Sequence, residues 1–352
     1  MGGMHLPAFI LDVARLVIWL ALLASVFVPL ERLFAHRPSR LFRKGVGADL
    51  FYYFLNSLLP GLVLALPLGA AAWAAHAFVP PGFLSAAEHA PLWVRIPLAL
   101  AVGEIGFYWG HRWSHEIPAL WRFHAIHHSA EHMDWLVNTR AHPVDLVFTR
   151  LCGLVPLYVL GLGSPMNGTT GSLAPLIVVL AGTVWGFFIH SNVSWRLGPL
   201  EALLATPAFH HWHHTREQHR DRNYAALFPW LDRAFGTLYL PKHWPEEYGT
   251  VTPVPEGFVR QIVDPLVRWR REGGNAPMPQ DDAASALDGG RQAANMAPTP
   301  ATTPVSREQD QSGGLVHGTH EAVRAAGGRR RAGFDECEGS PRPGQRRRAG
   351  AV

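Results

Sequence analysis

The sequence predicts an all-α integral membrane protein: about four to six transmembrane helices, a helical cap on one side of them, and a disordered C-terminal tail. Three observations carry this. Apolar runs of membrane length fill most of the first 195 residues. Charge is scarce, with 16% of the 352 residues charged against 48% apolar. The last 80 residues differ in kind, holding ten Arg and nine Asp or Glu but a single aromatic, Phe334, and no Trp.

The runs follow in order. Residues 16–30 are uninterrupted and extend upstream towards Phe9. Residues 51–79 exceed one straight crossing, and Pro60-Gly61 either kinks the run or splits it in two. Residues 93–109 and 173–189 sit near the lower limit of the roughly 17–25 residues a spanning helix needs. The shorter run 151–162 requires Asp145 and Arg150 at the interface, and the Gly-rich stretch 161–171 makes it a helical hairpin with the next run. Several such runs in succession mean a membrane protein rather than a soluble core. The N-terminus has neither a basic leader nor a small-residue cleavage site, so no cleavable signal is expected.

Loop charge sets the expected orientation. Arg32, Arg37, Arg40, Arg43 and Lys44 follow the first run, whereas residues 80–92 and 163–170 carry no Lys or Arg. The positive-inside rule makes the first loop cytoplasmic and the other two external. The cap, with residues 111–142 and everything after His190, is then cytoplasmic. Domains are expected at 1–92 (N-terminal transmembrane helices), 93–250 (catalytic domain), 251–272 (cap extension) and 273–352 (disordered tail). The two cysteines, Cys152 and Cys337, exclude a disulfide scaffold. The Arg clusters at 329–331 and 346–348 lie in the tail among acids that nearly cancel them, so no nucleic-acid partner is expected.

Histidine is the informative residue. Of twenty, twelve fall between His111 and His214. His111 and His115 are four apart, one helical face. His124, His127 and His128 have the i, i+3, i+4 spacing of a common helical face, and His210, His213 and His214 repeat it after Thr206-Pro207. His190 closes the run 173–189. These nine exceed the four ligands of a structural zinc and suit two metals, although imidazole accepts Fe, Zn, Cu or Ni alike. A metal transporter or sensor is the rival of another class; it would line a pore through the helices with such residues. His132, His211, His219 and His243 are expected nearby or on the surface.

Together these residues resemble the membrane-bound fatty acid hydroxylase/sterol desaturase superfamily over roughly residues 103–240. The resemblance is carried by Phe107-Tyr-Trp-Gly-His-Arg-x-x-His115, Leu120-Trp-Arg-Phe-His-x-x-His-His-Ser129, Arg140-Ala-His-Pro143, His190-Ser-Asn192, Thr206-Pro-x-x-His-x-x-His-His214, Asp221-Arg-Asn-Tyr224 and Leu231-Asp-Arg-Ala-Phe-Gly-Thr237. It implies two non-haem irons bound by His111, His115, His124, His127, His128, His190, His210, His213 and His214. It further implies O₂ as co-substrate and hydroxylation or desaturation of a sterol or fatty-acyl lipid. Glu104 stands where the family often has Asp. No second histidine follows His190 at helical spacing, so Asn192, a water or His142 completes the set. His-Arg-x-x-His-Glu116 is also similar to alkylglycerol monooxygenase, which implies a role for Glu116 and keeps ether-lipid cleavage open.

Ligating imidazoles normally donate their second N–H to a carboxylate or carbonyl. Glu104, Glu116, Asp134, Asp145, Asp221 and Asp232 are the candidate partners, and Glu104, inside an apolar run, must be paired. The sequence has no glycine-rich dinucleotide fingerprint, no His-Pro-Gly-Gly haem signature and no ferredoxin cysteine spacing. A separate electron-transfer protein is therefore expected, with Arg216, Arg220 and Arg222 as a candidate docking face.

Overall fold

A computed structural model of the chain describes residues 7–163, 168–216 and 219–271. These lie in one compact unit, Met1–Ala297; a second unit, Pro298–Val352, and with it most of the predicted disordered tail at 273–352, falls outside the described residues, as does the rest of that tail. The described residues are helical, with isolated β-bridges and no strand.

Two long helices open the fold, α1 (Ala8–Phe34) and α2 (Val46–Phe78). A short α3 (Pro81–Glu88) leads into α4 (Leu92–Glu116). Then come α5 (Pro118–His124), α6 (Pro143–Val159) and α7 (Gly168–His190), followed by the short α8 (Pro207–His213) and α9 (Trp230–Ala234) and the amphipathic α10 (Phe258–Arg271). Among the described residues, four stretches are long and apolar enough to cross a membrane: Ala8–Phe34, Gly61–Phe78, Leu92–Glu116 and Leu173–His190. Their outward faces are apolar. Leu62 and Leu66 on α2 are 79% and 82% exposed, a cost in water that lipid removes. The helix is the form such segments take because only it satisfies every backbone N–H and C=O internally.

Pro60-Gly61 does not split the second run: α2 is continuous over 33 residues, about 50 Å at 1.5 Å per residue. Residues 151–159 of the run 151–162 form the second half of α6, which starts earlier, where the His142 side chain accepts from Val144 N, Pro143 takes the first helical position and Asp145 lies in the first turn. At 17 residues α6 is about 26 Å long, short of the roughly 30 Å hydrocarbon core, and it is wedged between α2 and α4. Gly106 allows that wedge, since a Cβ there would stand 2.1 Å from the Cys152 carbonyl oxygen. Part of the predicted hairpin turn, residues 164–167, lies outside the described residues.

The loop from α1 to α2 is bolted to the cap. Arg43 contacts Asp134 at 2.5 Å and Asp49 at 2.7 Å, and Asp49 also meets Arg140 at 2.5 Å, all buried. Glu31 accepts from the backbone N–H groups of Trp135 (2.7 Å) and Asn192 (2.9 Å). The C-terminal ends of α4 and α7 therefore meet the α1–α2 loop, α5 and α8 at one end of the bundle.

Candidate metal centre

The nine histidines singled out by spacing converge at that end in two buried groups. His111, His115, His124, His128 and His213 form one; His127, His190, His210 and His214 form the other; within each, one nitrogen per ring lies within 4.8 Å of the rest. α4 supplies His111 and His115 from its last turns, and α7 supplies His190 as its last residue. The capping of α8 by the Thr206 side chain on Phe209 N aims His210 and His213 inward.

The expectation that His124, His127 and His128 share one helical face is corrected. α5 stops at His124, and residues 127–129 form a 3₁₀ turn. The tighter winding sends His124 and His128 to the five-histidine group and His127 to the other. The third motif divides too, in the opposite sense: His210 and His214 join the four-histidine group and His213 the five. Each His-x-x-His-His stretch thus spans both groups.

Hydrogen bonds fix the tautomers. His111 Nδ1 faces Tyr224 O at 2.6 Å, His213 Nδ1 faces Arg222 O at 2.7 Å, and His124 Nδ1 faces Asp145 Oδ2 at 2.9 Å. A carbonyl only accepts, and His124 and its neighbouring imidazoles outweigh burial to keep Asp145 ionised, so each Nδ1 carries the proton and a neutral ring turns a lone pair out at Nε2. Those lone pairs face one another: His213 to His111 at 3.0 Å and His111 to His124 at 3.2 Å. In the second group His127 donates to Arg140 O (2.9 Å) and His190 to Gly186 O (2.7 Å), and their Nε2 atoms stand 3.1 Å apart. His210 and His214 approach His190 at 3.0 and 3.2 Å. Burial first, then neighbouring imidazoles, pushes His127 down to about 4 and His128, His210, His213 and His214 well below the ordinary histidine value, so a shared proton is not what holds them. Converging lone pairs without protons repel unless a cation lies between them. The donor set fits a metal in each group, and nitrogens 3.0–3.2 Å apart fit the edge of a coordination polyhedron with metal–nitrogen bonds of about 2.1 Å. His115 Nε2 has no partner among the described residues, and its Nδ1 lies 3.0 Å from Asp221.

Of the carboxylates expected to orient imidazoles, Asp145 and Asp221 do so. Asp145 uses both oxygens, the second accepting from Ser114 Oγ at 3.0 Å. Burial alone would raise its pKa, but His124 and its neighbours hold it below the usual carboxylate value. The others do different work. Glu104 is paired as expected, but with backbone: Ala226 and Leu227 N–H groups donate to it at 2.7 and 2.6 Å. Asp232 accepts from Tyr224 N and Ala225 N, and so carries the carbonyl that meets His111. Asp134 is spent on Arg43. The carbonyl partners had no sequence signal, because every residue has one.

Asn192 and His142 belong to neither group. The Asn192 amide accepts from Arg37 N at 3.1 Å and donates to Arg37 O at 2.6 Å; His142 lies 3.1 Å from Ile262 O and caps α6. Glu116 is on the outside of α4, 2.7 Å from Arg112. Arg220 does not face a partner protein: it is buried, stacked over Trp121 and paired with Asp221. Arg216 pairs with Glu247 and Arg222 donates to Gly236 O. His211 is fully buried between Ser191 O and Tyr248 Oη, His219 stacks on Tyr239, and His132 and His243 are exposed.

Below the histidines a cavity of about 470 Å³ runs into the apolar bundle. His111, His124, His127, His190 and His210 form its polar end, and Leu16, Trp19, Leu23, Phe107 and Phe187 line its walls.

The fatty acid hydroxylase family matches residues 96–237. Ornithine lipid hydroxylase OlsE of Rhizobium tropici is 34% identical over 185 residues, 52% of this chain and 53% of that protein. Alkylglycerol monooxygenase of Danio rerio is 31% identical over 163 residues (45% and 33%), and very-long-chain aldehyde decarbonylase GL1-5 of Oryza sativa subsp. indica 28% over 175 (46% and 26%). The chain spans about half the length, or less, of these curated relatives. No solved structure matches. The segment that is similar to the fatty acid hydroxylase family contains all nine clustered histidines, Asp145 and Asp221.

Proposed function

We propose that the chain is an O₂-dependent lipid oxidoreductase that hydroxylates or desaturates the acyl or alkyl part of a membrane lipid at a non-haem di-iron centre. The observation that carries this is the set of inward-facing imidazole lone pairs at the polar end of an apolar cavity. His111, His115, His124, His128 and His213 would hold one iron, and His127, His190, His210 and His214 the other. When bound, the irons supply O₂ activation and oxidation of an unactivated C–H bond.

The protein's own residues do the rest. Asp145, Asp221 and the carbonyls of Arg140, Gly186, Arg222 and Tyr224 keep the proton on Nδ1, which leaves Nε2 free to bind. The apolar walls hold the chain of the lipid and exclude water from the reacting carbon. Asn192 positions His190 by tying the end of α7 to the α1–α2 loop, and Glu116 acts through Arg112 at the end of α4. Because the ligands gather at one end of the bundle rather than along a path through it, the arrangement favours catalysis over metal transport. The loop charges Arg32, Arg37, Arg40 and Lys44 favour a cytoplasmic active site. A separate electron-transfer protein supplies the electrons.

A second reading, ether-lipid cleavage, is favoured by the alkylglycerol monooxygenase matches and by Glu116 directly after His115. Lipid mass spectrometry of cells expressing wild type or His127→Ala, under ¹⁸O₂, tests both. A labelled hydroxylipid supports hydroxylation, a labelled aldehyde with loss of glycerol supports ether cleavage, and an unlabelled loss of two hydrogens supports desaturation. Identical lipid profiles in the two strains overturn the proposal.

A further inference from the structure

Arg150 lies in the wall of the cavity, on the face of α6 that also presents Asp145, Leu146, Thr149, Gly153 and Leu154. It stands five residues beyond Asp145, about 7.5 Å further along the helix at 1.5 Å per residue. Of the buried arginines, Arg43, Arg140 and Arg220 each meet a carboxylate and Arg95 a main-chain carbonyl, that of Glu88. No carboxylate among the described residues acts on Arg150, and none of their acceptors takes a hydrogen bond from it. A guanidinium does not shed its proton, and one left without a counter-ion beside an apolar space is unfavourable, as any desolvated ion is. An ionisable group at membrane depth with no partner in the protein is matched by something that enters.

A second lining residue, Asn56 on α2, also has an unused group. Its Nδ2 donates to Thr139 O at 3.1 Å and Ala141 O at 2.8 Å, which settles the orientation of the amide. Its Oδ1 is buried and has no donor among the described residues. The cavity thus offers one strong cationic donor and one free acceptor, with the apolar side chains of Leu16, Trp19 and Leu23 also in its wall. A neutral hydrocarbon satisfies neither polar group, and a sterol hydroxyl can donate to Asn56 but brings Arg150 no counter-charge.

We propose that Arg150 is a subsite for the polar end of the substrate, so that the cavity selects lipids bearing an anionic oxygen group, a carboxylate or a phosphate ester, over neutral lipids of the same chain length, while Asn56 Oδ1 is left to accept from a hydroxyl of the same lipid. The distance from that end then sets which carbon faces the histidines. The inference rests on the lipid-oxidising function proposed for this cavity, but its test needs no turnover.

The full chain in neutral detergent is titrated with palmitate, 1-palmitoyl lysophosphatidate and methyl palmitate. Wild type should bind at least one of the two anions about tenfold or more tighter than the ester, and whichever is tighter identifies the anionic group. Arg150→Gln should remove the preference while leaving ester binding intact, and Arg150→Lys should retain part of it. Asn56→Asp, which adds a negative charge to the cavity wall, should weaken it. Equal affinities in wild type overturn the subsite, whether or not the variants fold; so does an undiminished preference in Arg150→Gln. If the preference holds and no oxidised lipid is found, the subsite stands and the catalytic proposal falls; oxidised lipid with no preference gives the reverse.

Discussion

His127 donates its Nδ1 proton to the main-chain carbonyl of Arg140 at 2.9 Å. The Arg140 side chain is in turn held by Asp49, which Arg43 shares. One imidazole of the four-histidine group is therefore oriented by a buried charge network that begins in the loop between the first two helices. Removing one member leaves a buried charge without its partner, which costs about 3–5 kcal/mol. Asp49→Asn is expected to lower the thermal stability of the purified protein and its bound-metal content together, with Glu256→Gln, an exposed pair to Lys44, as a control that changes neither.

Asp145 orients His124 and accepts from Ser114 with its other oxygen. Asp145→Asn keeps the size but not the charge, and loss of such a carboxylate partner typically weakens metal affinity 10–100-fold. We expect that range in a competition assay with a calibrated iron chelator. An unchanged affinity would show that the carboxylate does not support the site.

Metal-free protein should lose stability on acidification. The folded pKa of His127 is about 4, depressed by burial first, and that of His211, about 3, for the same first cause. An unfolded histidine titrates near 6.5. Below about 6.5 the unfolded chain takes up protons that the folded chain refuses, so stability is fully present above 6.5 and declines as pH falls towards 4. Each such histidine contributes up to about a tenfold fall in the folding constant per pH unit in that window. Denaturant titrations of the apo protein at pH 7.5, 6 and 5 measure this; a flat profile would mean that the histidines are solvated.

Gly106→Ala puts a methyl group 2.1 Å from the Cys152 carbonyl, which belongs to a backbone with no room to yield. Overpacking of this kind costs about 1–3 kcal/mol, and the α4–α6 shift it forces moves His111 and His115 relative to Asp145. Gly182→Ala on α7, where a Cβ meets nothing within 4 Å, is the matched control. The thermal unfolding temperature and the bound-metal content should fall in the first variant only.

The sequence by itself determined the membrane helices, through the length of their apolar runs, and the nine clustered histidines, through spacing and family motif. Periodicity reports which residues share a face only while the winding stays α-helical. It could not foresee that α5 would end at His124, so only the tertiary structure decided how the nine divide five and four. It also could not foresee that Pro60-Gly61 would leave α2 whole, that Glu104 would take backbone rather than imidazole, or that Arg220 would be buried. A side chain's partner depends on what folds against it from far along the chain: residues 226 and 227 for Glu104, residue 145 for His124, and for Arg150 the wall of a cavity. Local sequence carries the chemistry of each group, while long-range packing assigns the partner that chemistry meets.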